Sequence, residues 1–135
     1  MYYYRTRKGK VVELEHKDEL KLYCRNIVEL VIPDGCREVD CHGNQLIELV
    51  VPNGCKVIEC YSNQLKKLII PDDCKGIVCF DNKLKELIIP DGCRSVYCMD
   101  NQLKELVIPD GCKRVWADMK SVTELNKVED LNLWI

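Results

Sequence analysis

The sequence predicts a solenoid of stacked, mostly-β coils, and two columns of repeated residues support this prediction. Half of the chain's ten cysteines recur at a constant step of 19 residues, and all five prolines recur at the same step. The columns are Cys36, Cys55, Cys74, Cys93 and Cys112, and Pro33, Pro52, Pro71, Pro90 and Pro109. Self-similarity at one fixed period is the signature of repeat architectures, in which each unit buries its apolar face only against its neighbours.

Length and composition are those of one folded domain. The chain has 135 residues, of which 47% are hydrophobic and 31% are charged, so intrinsic disorder is not expected. The net charge of −2 gives no general attraction to nucleic acid or to an anionic membrane. No apolar run reaches the roughly 18 residues of a membrane span, and the first residues lack the apolar stretch of a signal peptide.

Three segments are expected along the chain. Residues 1–19 do not follow the repeat, and residues 2–6 and 11–14 flank Gly9 as the two strands of a β-hairpin would. We expect this hairpin to cap the exposed core of a solenoid that covers residues 20–119. Residues 120–135 are then expected to form a C-terminal cap.

One repeat unit predicts two short strands joined by tight bends. In the unit that begins at Cys93, residues 96–98 and 106–108 each alternate inward and outward side chains. The Pro-Asp-Gly sequence between units favours a turn, because proline presets φ and glycine accepts a positive φ. Asp73 replaces this glycine in the third turn. A column of asparagines at another bend is expected to bond backbone groups of its own and the next coil; it comprises Asn44, Asn63, Asn82 and Asn101.

The pattern Cys-x-x-Val-x-Cys-x-x-Asn-x-Leu, which starts at Cys93, resembles the leucine-rich repeat consensus LxxLxLxxNxL. The match recurs from each cysteine of the first column, at Cys112 without the asparagine, and covers about residues 20–125. The proline-bearing second half is similar to short bacterial leucine-rich repeats of the YopM/IpaH and BspA-like types. The resemblance implies a short right-handed superhelix in which parallel strands line a concave face, the usual contact surface for other proteins.

Two signals compete in the C-terminal cap. Val122 and Leu125 keep the repeat register, and Leu131 and Trp134 fall 19 residues after Cys112 and Val115. Ser121-x-x-Glu124 is instead a capping box, followed by apolar residues at helical spacing. We expect a partial sixth coil that contains a short helix.

Three interpretations of the cysteines remain open. Disulfides fit poorly, because cysteines stacked in one column lie about 4.8 Å apart whereas disulfide Cβ atoms lie about 3.8 Å apart. A zinc site has the spacing of Cys36-x4-Cys41 in its favour, but both residues occupy core columns. We favour small hydrophobic side chains in a narrow core. This interpretation implies a reducing compartment, hence the cytoplasm of the cell or of a host.

No catalytic motif is recognisable, and we expect neither enzyme activity nor a cofactor or metal. The chain has two histidines, His16 and His42, and no glycine-rich phosphate loop or nucleophile elbow. His42 follows Cys41, but adjacent strand residues point to opposite faces and form no nucleophile–base pair. A metal-binding or redox-responsive cysteine-rich protein is the alternative function.

Strand alternation predicts a partner-binding surface on the concave sheet for an unidentified protein or peptide. It consists of the aromatic and apolar residues Tyr61, Val78, Phe80, Tyr97, Met99 and Trp116, and the acidic residues Glu38, Asp40 and Glu59. Aromatic residues dominate interface hot spots, and we expect Phe80 and Tyr97 to be largely exposed. The alternative is cross-strand packing that only stabilises the sheet.

A second outward column lies on the back strand of each unit. It comprises Val31, Val50, Ile69, Ile88 and Val107. The preference of valine and isoleucine for β-strands alone accounts for such residues. The more specific interpretation is self-association into a homodimer through the back sheet.

Overall fold

A computed structural model describes residues 1–118 and the backbones of Glu124–Leu125 and Asn132–Trp134. The described residues form short strands and no helix. The strands are β1 (Tyr3–Thr6), β2 (Val11–Glu13), β3 (Glu19–Lys21), β4 (Ile27–Val31), β5 (Glu38–Asp40), β6 (Glu48–Val50), β7 (Val57–Glu59), β8 (Lys67–Ile69), β9 (Gly76–Val78), β10 (Ser95–Tyr97), β11 (Glu105–Leu106), β12 (Arg114–Trp116), β13 (Glu124–Leu125) and β14 (Asn132–Trp134).

Seven strands form one parallel sheet, which we call the front sheet, in the order β14-β12-β10-β9-β7-β5-β3. Each pairing from β3 to β12 joins residues one repeat apart. Val39 lies opposite Ile58, and Ile58 lies opposite Ile77, at the 19-residue step. The chain is therefore a mostly-β solenoid of stacked coils, as the repeat predicts.

The opposite side of the coils is less regular than the front sheet. β6 pairs with β8 and β11 pairs with β13, both in parallel. The second strand predicted for each unit is absent at residues 86–89. Leu87 and Ile89 are nevertheless buried, so apolar packing rather than a ladder of backbone hydrogen bonds holds this part of the coil. The predicted outward column is exposed on this side; it comprises Val31, Val50, Ile69, Ile88 and Val107.

β1 and β2 form an antiparallel hairpin whose turn contains Gly9 at a φ of 90°. β1 also pairs antiparallel with β4, which places Tyr4 opposite Leu30 in the core. This pairing occupies the outer edge of β4, so the solenoid does not present that strand to solvent. The division of the chain at residues 19 and 119 stays a prediction.

The core consists of side-chain columns that repeat with the coils. Nine cysteines are buried and all ten are free, which confirms that the first cysteine column points inward. A second column at the same 19-residue step also points inward; it comprises Cys41, Cys60, Cys79 and Cys98. Ile77 and Cys79 have no exposed surface, as strand alternation predicts for β9. Cys24, which belongs to neither column, is exposed.

Each asparagine of the predicted column bridges two coils. The Oδ1 of Asn63 accepts the N–H of Leu46 at 3.0 Å, and its Nδ2 donates to the carbonyls of Cys41 and Cys60, each at 3.1 Å. The second coil is the preceding one rather than the next one, because the amide projects toward the N-terminal end of the stack. The structural role predicted for these side chains is confirmed, with the direction corrected.

The residue before each asparagine has a left-handed backbone conformation. This conformation costs a residue other than glycine roughly 1–2 kcal/mol, although serine and aspartate tolerate it better than branched residues. The asparagine hydrogen bonds of the same bend offset this cost. These residues are Gly43, Ser62, Asp81 and Asp100; Cys24, one repeat before Gly43, has the same conformation but is followed by Arg25.

The glycines of the Pro-Asp-Gly turns only partly follow the prediction. Gly35 and Gly54 have positive φ, whereas Gly92, Gly111 and Asp73 do not. In these turns the proline carbonyl accepts the N–H of the cysteine three residues later, at 3.0 to 3.4 Å. Such a turn can be closed with negative φ at both central residues, so aspartate is accommodated in the third turn.

The C-terminal register differs from the prediction. Leu125 lies opposite Leu106 at the expected step, but Leu133 lies opposite Val115, 18 residues earlier, and Trp134 lies opposite Trp116. The last register is 18 rather than 19 residues, and in the sequence Val128-Glu129-Asp130 stands one repeat after Pro109-Asp110-Gly111. Glu124 and Leu125 form a strand, which contradicts a helix at these two positions. The rest of the predicted helix lies outside the described residues.

Candidate functional site: aromatic ladders on the front sheet

Six of the nine residues of the predicted binding surface lie on strands of the front sheet, and Tyr61, Phe80 and Met99 lie two residues beyond the ends of β7, β9 and β10. In register, Asp40 lies opposite Glu59, Glu59 opposite Val78, Val78 opposite Tyr97, and Tyr97 opposite Trp116. The residues that follow each strand form a second row beside this one. That row contains Tyr61, Phe80 and Met99, and it also contains Tyr23, His42 and Asp118.

Four rings of the second row stack face to face, and we call them the first ladder. The ring centroids are 5.2 Å apart between Tyr23 and His42, 4.4 Å between His42 and Tyr61, and 4.5 Å between Tyr61 and Phe80. The interplanar angles are 9°, 6° and 15°. The stacking follows from the fold, because parallel strands about 4.8 Å apart hold equivalent side chains at the separation of stacked rings.

Tyr23 was not among the predicted site residues. Leu22 stands where the next four coils have cysteine, so the first, degenerate coil lacks the residue that identifies this position in the repeat. A step of 19 residues back from His42 nevertheless leads to Tyr23, and that signal was available in the sequence.

Tyr97 and Trp116 form a second ladder in the neighbouring row. Their ring centroids are 4.9 Å apart with an interplanar angle of 32°. Val78 precedes Tyr97 in the same row and Met99 follows Phe80 in the first ladder's row, so apolar side chains connect the two ladders across β9 and β10.

The expectation that Phe80 and Tyr97 are largely exposed is wrong. Both side chains are half-buried, as are Tyr61, Val78 and Met99. The reason is the stacking itself, because each ring covers the face of its neighbour and leaves mainly its edge in solvent. Trp116, the partner of Tyr97 in the second ladder, remains 37% exposed.

The acidic end of the surface brings Asp40, His42 and Glu59 together. The Oδ1 of Asp40 lies 2.5 Å from the Nδ1 of His42 and also accepts the His42 backbone N–H at 3.2 Å. Partial burial, and then the charge of Asp40, raise the pKa of the Glu59 carboxyl. Burial also raises the pKa of Tyr61, with smaller contributions from the two carboxylates. Glu38 is exposed and lies outside this group.

The role of His42 was missed because the sequence argument tested it only against Cys41. The relevant neighbours are Asp40, two residues earlier, and Glu59, one coil later. One ligand atom from each of these side chains lies within 4.8 Å of the others. Among the described residues, no other group of three histidines, cysteines or acidic residues converges in this way.

The column cysteines are positioned for packing rather than for reaction. Burial raises the pKa of Cys74 to about 11, and burial followed by the neighbouring Cys74 raises the pKa of Cys55 to about 12. Since the thiolate is the nucleophile and the metal ligand, Cys55 and Cys74 carry little reactive thiolate near neutral pH. Cys112 differs, because a hydrogen bond with Cys93 lowers the pKa of its thiol, although its side chain is buried.

No protein-family model matches the chain, and a comparison with curated proteins finds no significant match. In the described part of the chain, no helix has the length and apolar character needed to cross a bilayer. The site is therefore interpreted from its own geometry.

Proposed function

We propose that this protein is a non-enzymatic leucine-rich repeat module that binds a protein or peptide on its front sheet. The two aromatic ladders carry the proposal. They place six aromatic or imidazole rings on one face of the solenoid, Tyr23, His42, Tyr61, Phe80, Tyr97 and Trp116. Binding hot spots are enriched in tyrosine and tryptophan, and a surface rich in aromatic side chains is unusual on a protein that binds no partner.

The stacking favours binding because it removes side-chain freedom before a partner arrives. A ring held between two others loses little conformational entropy on association, and immobilising a free side chain costs roughly 0.5–1.5 kcal/mol. The ring edges and the apolar side chains of Val78 and Met99 then form one continuous contact area. The carboxylates of Glu38, Asp40 and Glu59 favour a partner with positive charge at that end.

The leucine-rich repeat assignment rests on the pattern around each asparagine. The bonds of Asn63 to two coils give that residue the bridging role that the consensus asparagine implies. Free, buried thiols are compatible with the reducing cytoplasm that we propose as its location. The burial of nine of the ten thiols does not favour the alternative of a redox-responsive cysteine protein.

A random peptide library displayed on phage tests the binding surface even though the partner is unidentified. Peptides selected on the immobilised protein should bind Phe80→Ala and Tyr97→Ala at least about 30-fold more weakly, because losing an anchor side chain costs about 2 kcal/mol. Ile88→Lys, an 83% exposed position on the opposite side, is the matched control and should leave affinity unchanged. Selection of no peptide, or equal affinity for all three variants, would contradict the proposal.

Self-association through the back column is a second candidate. Ile88 is 83% exposed, Val107 68% and Val50 60%, so aliphatic side chains line this side of the coils. The Ile88→Lys control also tests this candidate by sedimentation: a wild-type dimer that becomes a monomer on substitution supports it. A monomeric wild-type protein would contradict it.

A further inference from the structure

The acidic end of the front sheet brings together three side chains of types that bind metal ions. An imidazole nitrogen of His42 and carboxylate oxygens of Asp40 and Glu59 all lie within 4.8 Å of one another. Nitrogen and oxygen donors of these types are ligands that Zn²⁺ takes in proteins. We propose that Asp40, His42 and Glu59 form a zinc site. This inference is independent of whether the aromatic ladders bind a partner.

The imidazole is held in place before any metal arrives. The His42 ring is stacked between Tyr23 at 5.2 Å and Tyr61 at 4.4 Å, nearly parallel to both. Both neighbours lie one repeat away, so the coil stacking that builds the first ladder also sets the plane of the ligand. A ligand locked by its surroundings binds metal with less loss of conformational entropy.

The two carboxylates lie in opposed positions, and Asp40 also contacts the His42 imidazole, which is a cation only when it is protonated. Asp40 lies directly opposite Glu59 in β5 and β7, and like charges in directly opposed positions destabilise a sheet. Lys21 lies opposite Asp40 on the other side, but it forms no ion pair with Asp40 in the described part of the chain. A divalent cation between these side chains would remove the repulsion.

The distances allow one ion to contact all three side chains. Zinc bonds of about 2.0–2.2 Å place two tetrahedral ligand atoms roughly 3.3 Å apart. The 2.5 Å contact between Asp40 and His42 must therefore open, and the widest separation, within 4.8 Å, must close. Each of these two distances changes by about an ångström, and rotation of the half-buried carboxylate side chains supplies that change. Three protein ligands leave a fourth position for water or for a donor from another molecule.

Isothermal titration calorimetry with ZnCl₂ on the reduced full-length protein tests the site. We expect one zinc ion per chain. Asp40→Asn, Glu59→Gln and His42→Phe should each weaken binding at least about 10-fold, since even outer-shell changes around a metal cost that much. His42→Phe is the most informative variant, because Phe80 occupies the equivalent position of the ladder and stacking is retained. His16→Gln removes the other, exposed histidine and should leave the zinc affinity unchanged.

Two further measurements exclude alternative explanations. The unfolding temperature of His42→Phe without zinc should match that of the wild type, and if this variant does not fold, Glu59→Gln decides instead. Binding of Co²⁺ should produce d–d absorption without a thiolate charge-transfer band, because no cysteine is proposed as a ligand. Absence of zinc binding to the wild type, undiminished binding by His42→Phe and Glu59→Gln, or a thiolate band that disappears in Cys24→Ser would overturn the proposal.

Discussion

At the scale of single residues, the cysteines illustrate how a narrow coil selects its core side chains. A unit of 19 residues encloses little volume, and cysteine is a small hydrophobic side chain that fits there. Burial also suppresses reactivity, because the pKa of a thiol such as Cys74 rises to about 11 when its anion is desolvated. Cys24 differs from the others because it lies at a left-handed bend on the surface.

Thiol labelling should therefore distinguish the exposed Cys24 from the nine buried cysteines. At neutral pH the native protein should react quickly at Cys24 alone, and all ten thiols should react in denaturant. A colorimetric thiol assay followed over time measures both phases. Cys24→Ser is the matched variant and should lose the fast phase while keeping the slow one. A fast phase of more than one thiol would show that a column cysteine is accessible.

At the scale of the repeat element, the asparagine bend joins coils that side-chain packing alone would leave free to slide. Asn63 satisfies one backbone N–H and two carbonyls across two coils. It is 4% exposed, so water does not replace these bonds when the side chain is removed. The equivalent bonds at Asn44, Asn82 and Asn101 repeat the joint along the stack.

Asn63→Ala should destabilise the protein by about 3 kcal/mol. The substitution leaves several buried backbone groups without partners, at roughly 1–3 kcal/mol each, and partial relaxation offsets some of the loss. Urea denaturation measures the change in the free energy of unfolding. Gln64→Ala, at the adjacent exposed position, is the control and should change stability by less than about 0.5 kcal/mol. Similar stabilities for the two variants would contradict the bridging role.

At the scale of the whole molecule, stability is distributed among neighbouring coils. Each coil contacts mainly the coils before and after it, as the pairwise registers of the front sheet show. The total stability of such an array is approximately a sum over units and their interfaces. The antiparallel pairing of β1 with β4 is the exception, since it adds a non-repeated element at one end.

Removal of one entire unit should leave a folded, less stable protein. Deleting residues 74–92 joins Asp73 to Cys93, which continues the same register one repeat later. Deleting residues 74–83 shifts the register by half a coil and should abolish folding, because inward and outward columns no longer align. Circular dichroism and thermal unfolding of the two deletions measure the difference. Equal tolerance of both deletions would contradict a stack of independent units.

The period, the inward columns and the outward columns could all be predicted from the sequence. Equivalent residues of successive coils are buried to a similar extent. The repeat period together with strand alternation is therefore enough to assign Ile77 and Cys79 to the core and Phe80 to the outward face. The same reasoning located the nine residues of the candidate surface on one face of the coils. It failed at the C-terminus, where Leu133 rather than Trp134 lies opposite Val115.

The tertiary structure alone decided how the outward side chains meet one another. Strand alternation states that His42 points outward, but only the folded stack places its Nδ1 at 2.5 Å from Asp40 and its ring between Tyr23 and Tyr61. Rotamers and ring planes depend on contacts between coils, which no repeat pattern encodes. For this reason the sequence by itself determined which residues share a face, whereas the structure determined that rings stack into ladders and that three ligand atoms converge.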